Sequence, residues 1–149
     1  MKVKFTIPGE PTGKGRPRFS NVAGFNKAHT PEKTANYETL VKWMYHTECG
    51  DTKFADDAML DARMMVYYSI PKSASKKKQA EMLAGKLRPT KKPDIDNVCK
   101  IVLDSLNGLA FRDDTQVVDC QVRKFYSDTP RVVVTIQDIV YPAGGSENG

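Results

Sequence analysis

The sequence predicts a single α+β domain in which helices pack mainly on one face of a small mixed β-sheet. Three observations predict it. Near both ends of the chain and in its middle, apolar residues alternate with polar ones, the period of a half-buried strand. Two stretches between them repeat apolar residues at helical spacing. Read along the chain, the order is strand, helix, strand, short helix, helix, strand, strand, a set that closes into one layered domain. The 149 residues suit one such domain. Its expected extent is 1–140, with a disordered tail over 141–149 that has little to bury.

The elements follow in order. Residues 2–7 read as a strand with Val3, Phe5 and Ile7 on one face. Residues 9–29, rich in Gly, Pro and basic side chains, read as a loop centred on Gly13-Lys14-Gly15-Arg16-Pro17-Arg18-Phe19. It lacks the Gly-Lys-Ser/Thr ending of a Walker loop. It is either a surface loop or a phosphate-contacting one. Thr30-Pro31 is a helix start, and Tyr37, Leu40, Val41, Met44 and Tyr45 then line one helical face. Trp43 falls off that face. From 58 to 70 the period becomes two, with Leu60, Ala62, Met64, Val66, Tyr68 and Ile70 in line. A short basic helix over 75–84 is closed by Gly85. A second clear helix over 96–106 carries Val98, Cys99, Val102, Leu103 and Leu106 and stops at Asn107-Gly108. Strands over 116–126 and 131–137 end the domain. The short Ser127-Asp128-Thr129-Pro130 turn between them predicts an antiparallel pair.

Composition excludes several classes. No apolar run approaches the roughly 18 residues of a membrane span, and the N-terminus lacks the apolar core of a signal peptide. The three cysteines, Cys49, Cys99 and Cys120, are widely spaced without a C-x-x-C pair, so they read as reduced packing residues of a cytoplasmic protein. His29 and His46 have no second ligand at metal spacing. The net charge of +5 is unevenly spread. Between Lys72 and Lys92 eight basic residues face one acid, a local charge of +7, and acids follow at once at Asp94, Asp96, Asp104, Asp113, Asp114 and Asp119. Basic and acidic clusters side by side suit a site that holds both a polyanion and a cation.

The chemistry concentrates between Lys92 and Val117. Pro93 forces an extended segment, in which Asp94 and Asp96 point the same way. Lys100 follows Asp96 by one helical turn on the same face. After the reversal at Asn107-Gly108, the chain is expected to return Asp114 to the starting end of the helix. Crowded carboxylates need a cation among them. A hard divalent ion, Mg²⁺ with Mn²⁺ as a substitute, is the natural occupant and serves phosphodiester hydrolysis. Lys100 would then stabilise charge in the transition state. A purely structural reading stays open, in which Asp94 or Asp96 caps the helix and Lys100 pairs with Asp104. An EF-hand starting at Asp94 fails, because Cys99 and Ser105 stand where Gly and Glu are needed. A phosphatase-type Asp nucleophile would follow a buried strand, not this Lys/Pro-rich linker. No Ser or Cys nucleophile has a His partner.

Three blocks, Lys92-Pro93-Asp94-x-Asp96-Asn97-x-x-Lys100, Leu103-Asp104-x-Leu106-Asn107-Gly108 and Asp113-Asp114-x-Gln116-Val117, resemble in order and spacing the RusA family of Holliday-junction resolvases. Gly13-Lys14-Gly15-Arg16-Pro17-Arg18 and His29-Thr30-Pro31-Glu32-Lys33 are similar to the branch common in phages of Gram-positive bacteria. The resemblance spans about residues 3–138. It implies that Asp94, Asp96 and Asp114 are metal-site carboxylates, with Asp113 a further candidate, and that Lys100 is an essential lysine. It also implies Mg²⁺ dependence, a homodimer, branched DNA as substrate, and paired nicks in opposed strands. Candidate contacts to the DNA backbone are Lys14, Arg16, Arg18, Lys76, Lys77, Lys78, Lys91 and Lys92, each of which could equally be a solvated surface charge. Two rival readings are a broader flap or fork nuclease and a catalytically silent DNA-binding module. A cytoplasmic location is expected, that of the host if the chain is phage-encoded.

Overall fold

A computed structural model describes residues 1–15, 18–22, 25–29 and 32–140, with only the backbone path of 18–22 and 25–29. The elements are β1 (Lys2–Pro8), β2 (Arg18–Val22), β3 (Phe25–His29), α1 (Glu32–Cys49), β4 (Leu60–Ser69), α2 (Lys76–Leu83), α3 (Ile95–Leu106), a 3-10 turn (Asp114–Gln116), β5 (Val117–Ser127) and β6 (Arg131–Asp138). The Thr30-Pro31 start and the tail 141–149 lie outside the described residues.

The four-stranded sheet runs β1-β6-β4-β5, with β4 and β5 parallel and the other neighbours antiparallel. It is a mixed sheet, and with three helices the domain is α+β. Two expectations are corrected. The last two strands do not pair with each other, because β4 lies between them. Burial explains why. β4 carries five buried residues, Leu60, Ala62, Met64, Val66 and Tyr68, and takes the inner place beside β6, whereas β5 has no fully buried residue and suits an edge. A parallel β4–β5 pair needs a long crossover, and α2 and α3 supply it. The second correction concerns residues 9–29. Part of that stretch is a two-stranded sheet in which β2 and β3 pair only with each other. Gly and Pro content masked its short strands.

One face of the main sheet is the core face. Val3, Phe5 and Ile7 of β1, Leu60, Ala62, Met64, Val66 and Tyr68 of β4, and the three inward residues of β6 all point into one cluster. Tyr37, Val41 and Tyr45 of α1 and Val98, Ile101, Val102 and Leu106 of α3 close it from the helical side. Phe5 and Tyr45 meet edge to face, with ring centroids 5.3 Å apart. Trp43 stays off the stripe and is 67% exposed. No helix among the described residues is long and apolar enough to cross a membrane.

All three cysteines are free. Two of them meet: the Cys99 and Cys120 sulfurs are 3.3 Å apart, across α3 and β5. The hydrogen bond from Cys99 pulls the Cys120 thiol down to about 7, while the same bond and burial push Cys99 up. Burial, with the charge of Glu48, raises Cys49. Iodoacetamide at pH 8 is therefore expected to alkylate Cys120 ahead of the other two, as peptide mass mapping would read. Equal labelling of all three would contradict the assignment.

Candidate active site

The first turn of α3 is pinned from three sides. Tyr68 of β4 donates its hydroxyl to the Pro93 carbonyl. Lys124 of β5 donates to the Lys91 carbonyl at 2.7 Å. From the loop after β1, Lys14 N–H donates to the Asn97 carbonyl at 3.3 Å. A Cβ at Gly13 would stand 3.0 Å from the Cβ atoms of both Pro93 and Asn97, so a larger residue would fit only if the loop or the helix start gave way by a few tenths of an ångström. The Gly13–Gly15 segment is thus docked on the helix, a role that the composition of the loop does not reveal.

Asp94 is the N-cap residue of α3, yet its carboxylate makes no capping hydrogen bond. The side chain is exposed, with both oxygens available. Asp96 and Lys100 are also exposed, one turn apart. Asp104 extends the same i, i+4 stripe, opposite the buried Ile101 and Val102.

Asp114 is delivered by a loop that the motif residues build themselves. Its backbone N–H donates to the Asn107 side chain at 2.8 Å. Asp113 caps the 3-10 turn, accepting from the Thr115 hydroxyl at 2.6 Å and, more weakly, from the Thr115 N–H. The hydroxyl bond above all holds the Asp113 carboxyl below its ordinary value. Gln116 accepts from Arg112 N–H at 3.0 Å and donates to the Ala55 and Ala58 carbonyls at 2.9 and 3.1 Å, tying the loop to the segment before β4. Asn107 and Gln116 are therefore positioning residues.

The return of the chain brings Asp114 back against α3. Asp114 stands beside Asp104 and close enough to Cys99, the neighbour of Lys100, to raise its thiol. Burial raises the Asp114 carboxyl above its ordinary value, aided by the nearby Asp104 carboxyl and by the charge of Asp113. Lys14 completes the cluster, with its ammonium 2.8 Å from Glu38 and 3.5 Å from Asp104. Sequence reasoning passed over Asp104 and Glu38 as site members. The i+4 spacing from Lys100 was a signal for Asp104; nothing local marked Glu38.

The oxygen-only donor set suits a hard divalent ion. Among the described residues, though, no three acidic, His or Cys side chains gather around one point. The structure brings together Asp104, Asp114, Lys14 and Glu38, and strings Asp96, Lys100 and Asp104 along one stripe. It leaves Asp94 at the helix start beside Tyr68 and Lys124, whose protonation it influences. Of the candidate DNA contacts, Lys76, Lys77 and Lys78 on α2, with Lys91 and Lys92, are exposed. Lys14 is committed to its acids, Arg16 lies outside the described residues, and Arg18 is described only as backbone in β2.

The acid pair has a thermodynamic signature in the metal-free protein. A carboxyl whose folded value is raised binds its proton more tightly in the folded state. That contribution is present below the ordinary aspartate value and is lost as pH rises through the raised folded value. Asp114→Asn is therefore expected to raise the metal-free Tm at neutral pH, by about 2 °C given partial solvent screening. The difference from wild type should vanish toward pH 3. A lower Tm for the variant at pH 7 would contradict a repelling pair.

The family model for Endodeoxyribonuclease RusA matches residues 8–137. The chain belongs to the RusA family. A relative of unassigned function, the uncharacterized protein YqaN of Bacillus subtilis strain 168, is 42% identical over 139 residues, covering 92% of this chain and 96% of the relative. The RusA match encloses all three motif blocks and every element from β2 through β5.

Proposed function

We propose that this chain is a structure-selective endodeoxyribonuclease that resolves Holliday junctions by paired hydrolytic nicks. The observation that carries the proposal is the coincidence of RusA family membership with the acidic and basic stripe of α3. Asp94, Asp96 and Asp114 would hold the divalent ion, Mg²⁺ or Mn²⁺. Such an ion, when bound, makes water a stronger nucleophile and neutralises charge on a phosphate. The other roles belong to the chain. Asp94 presents a carboxylate not engaged in capping, on a helix start held by Tyr68, Lys124 and the Gly13–Gly15 loop. Lys100 sets an ammonium beside the scissile phosphate, where negative charge grows in the transition state. Asp113 holds the turn that presents Asp114.

In the reaction a water oxygen bonds to phosphorus, the bond to the 3′ oxygen breaks, and that oxygen takes a proton. The products are a 5′-phosphate and a 3′-hydroxyl, which a ligase can seal. Paired nicks call for two sites, so the working form is a homodimer, for which the exposed Trp43 offers an apolar anchor.

The test is incubation with a synthetic mobile four-way junction and Mg²⁺, alongside flap, fork and duplex substrates, with the cut ends sequenced. Symmetric, ligatable cuts restricted to the junction are expected. Equal cutting of flaps and forks would replace the resolvase with a broader branched-DNA nuclease. Binding without cutting would leave a silent DNA-binding module.

A further inference from the structure

We propose that the sheet face turned away from the helices binds the sugar-phosphate backbone of a DNA arm, outside the carboxylate site. The proposal rests on the reading of the chain as a nuclease of branched DNA and says where a second stretch of that substrate lies.

The register lays this face out in rows. Pro8, Arg131, Tyr67 and Phe125 form the row at one end of the sheet. Thr6, Val133, Met65 and Arg123 come next, then Lys4, Thr135, Arg63 and Gln121. Acids occur only in the far row, where Asp61 and Asp119 stand beside Lys2 and Gln137. No helix covers the face. Met65, Tyr67, Phe125 and Val133 are partly buried, and a shallow depression of about 430 Å³ opens between Arg63, Met65, Gln121, Arg123 and Thr135.

In the rows without acids the cations are held in place. The Arg131 guanidinium lies 4.0 Å over the Tyr67 ring and donates to the Thr129 carbonyl at 2.7 Å and the Ser127 hydroxyl at 3.2 Å. Arg88, from the segment after α2, lies 4.4 Å over the Phe125 ring and donates to the Lys124 carbonyl at 2.9 Å. The two rings are neighbours, with centroids 5.9 Å apart. A guanidinium laid flat on a ring keeps its remaining N–H groups in plane and free to point outward, the geometry that suits phosphate oxygens.

Neither arginine is neutralised. Among the described residues, carboxylates pair with Met1, Lys14, His46 and Arg63, not with Arg88, Arg123 or Arg131. Charge decides between occupants. The apolar residues at the centre would suit either occupant, but a second copy placed on this face would set unpaired arginines against unpaired arginines, whereas a polyanion would neutralise them. The patch also sits close to the chemistry. The next residues on the same strands, Tyr68 and Tyr126, belong to the other face, and Tyr68 holds the Pro93 carbonyl beside Asp94.

The test compares binding of the full chain to a labelled four-way junction by fluorescence anisotropy across a salt series. The double variant Arg88→Gln/Arg131→Gln and the single variant Arg123→Gln are the probes. Lys33→Gln, on α1 and so on the helical side of the sheet, is the control. The double variant is expected to bind about tenfold more weakly, with the slope of log K against log salt reduced by about one for each phosphate no longer neutralised. The single variant should show a smaller loss of the same kind, and its exposed position protects the comparison against misfolding. Unchanged affinity and slope in both probes, or an equal loss in Lys33→Gln, would overturn the proposal. So would a change of oligomeric state in light scattering, which would make the face a contact between copies. Cutting by the wild type is scored separately. Failure to cut removes the nuclease reading, while the binding comparison still decides the face.

Discussion

Replacing Asp94, Asp96 or Asp114 with asparagine is expected to abolish DNA cleavage while leaving junction binding intact. Asparagine keeps the size of the side chain and removes the charge. It would therefore take away a ligand oxygen of the divalent ion without disturbing the packing of α3, whose buried residues lie on the opposite side. Affinity for DNA comes mostly from cations on phosphates, and removing a nearby negative charge does not weaken it. The loss of turnover should be about 10³-fold or more, the scale of deleting a group that acts on the transition state. Lys100→Ala should lose about 10²-fold and keep its affinity for Mn²⁺, measured by calorimetry. Near-normal cutting by any aspartate variant at saturating Mg²⁺ would remove that residue from the ligand set. A large fall in metal affinity for Lys100→Ala would mean that the lysine organises the carboxylates instead. Asp104→Asn separates two arrangements. If Asp104 only shares a proton with Asp114, the variant retains cutting; if it replaces Asp94 as a ligand, cutting is lost.

Much of this was legible in the chain. The period-two runs of β1, β4 and β6 and the stripes of α1 and α3 depend on local alternation, and burial follows that alternation. What the sequence left open was non-local. The three-residue link from β5 to β6 reads as a hairpin, and only competition for the place beside β6, won by the buried face of β4, puts β4 between them. The same limit applies within the site. Spacing put Asp94, Asp96 and Lys100 on one helix, but where the chain returns after Gly108 depends on Asn107 and Gln116 bonding to groups far along the sequence. Lys14 looked like a free cation because its partners, Glu38 and Asp104, are 24 and 90 residues away. Arg88 and Arg131 had no motif to mark them, since a cation on a ring is a tertiary contact.

A supercoiled plasmid extruding a cruciform is expected to pass to linear product with little nicked-circle intermediate. One chain offers one set of Asp94, Asp96, Lys100 and Asp114, and a single domain leaves no room for a second set. One set cuts one strand. A four-way junction cut once stays joined through its other strands, so resolution requires a second, opposed cut before the complex dissociates. The junction is approximately two-fold symmetric, and a two-fold dimer would offer identical sites to opposed strands. Trp43, 67% exposed beside a depression lined by Lys42, His46, Asn107 and Leu109, lies on the side of α1 away from the sheet. It can anchor such a contact while both the carboxylates and the basic sheet face remain open to DNA. Light scattering at micromolar concentration should report a dimer, and Trp43→Ala should shift it toward monomer. If the variant monomerises, its nicked circles should accumulate while total strand scission falls less, because each chain keeps its own site. A wild-type protein that is strictly monomeric and yields only nicked circles would overturn the resolvase reading in favour of a nuclease that cuts branched DNA one strand at a time.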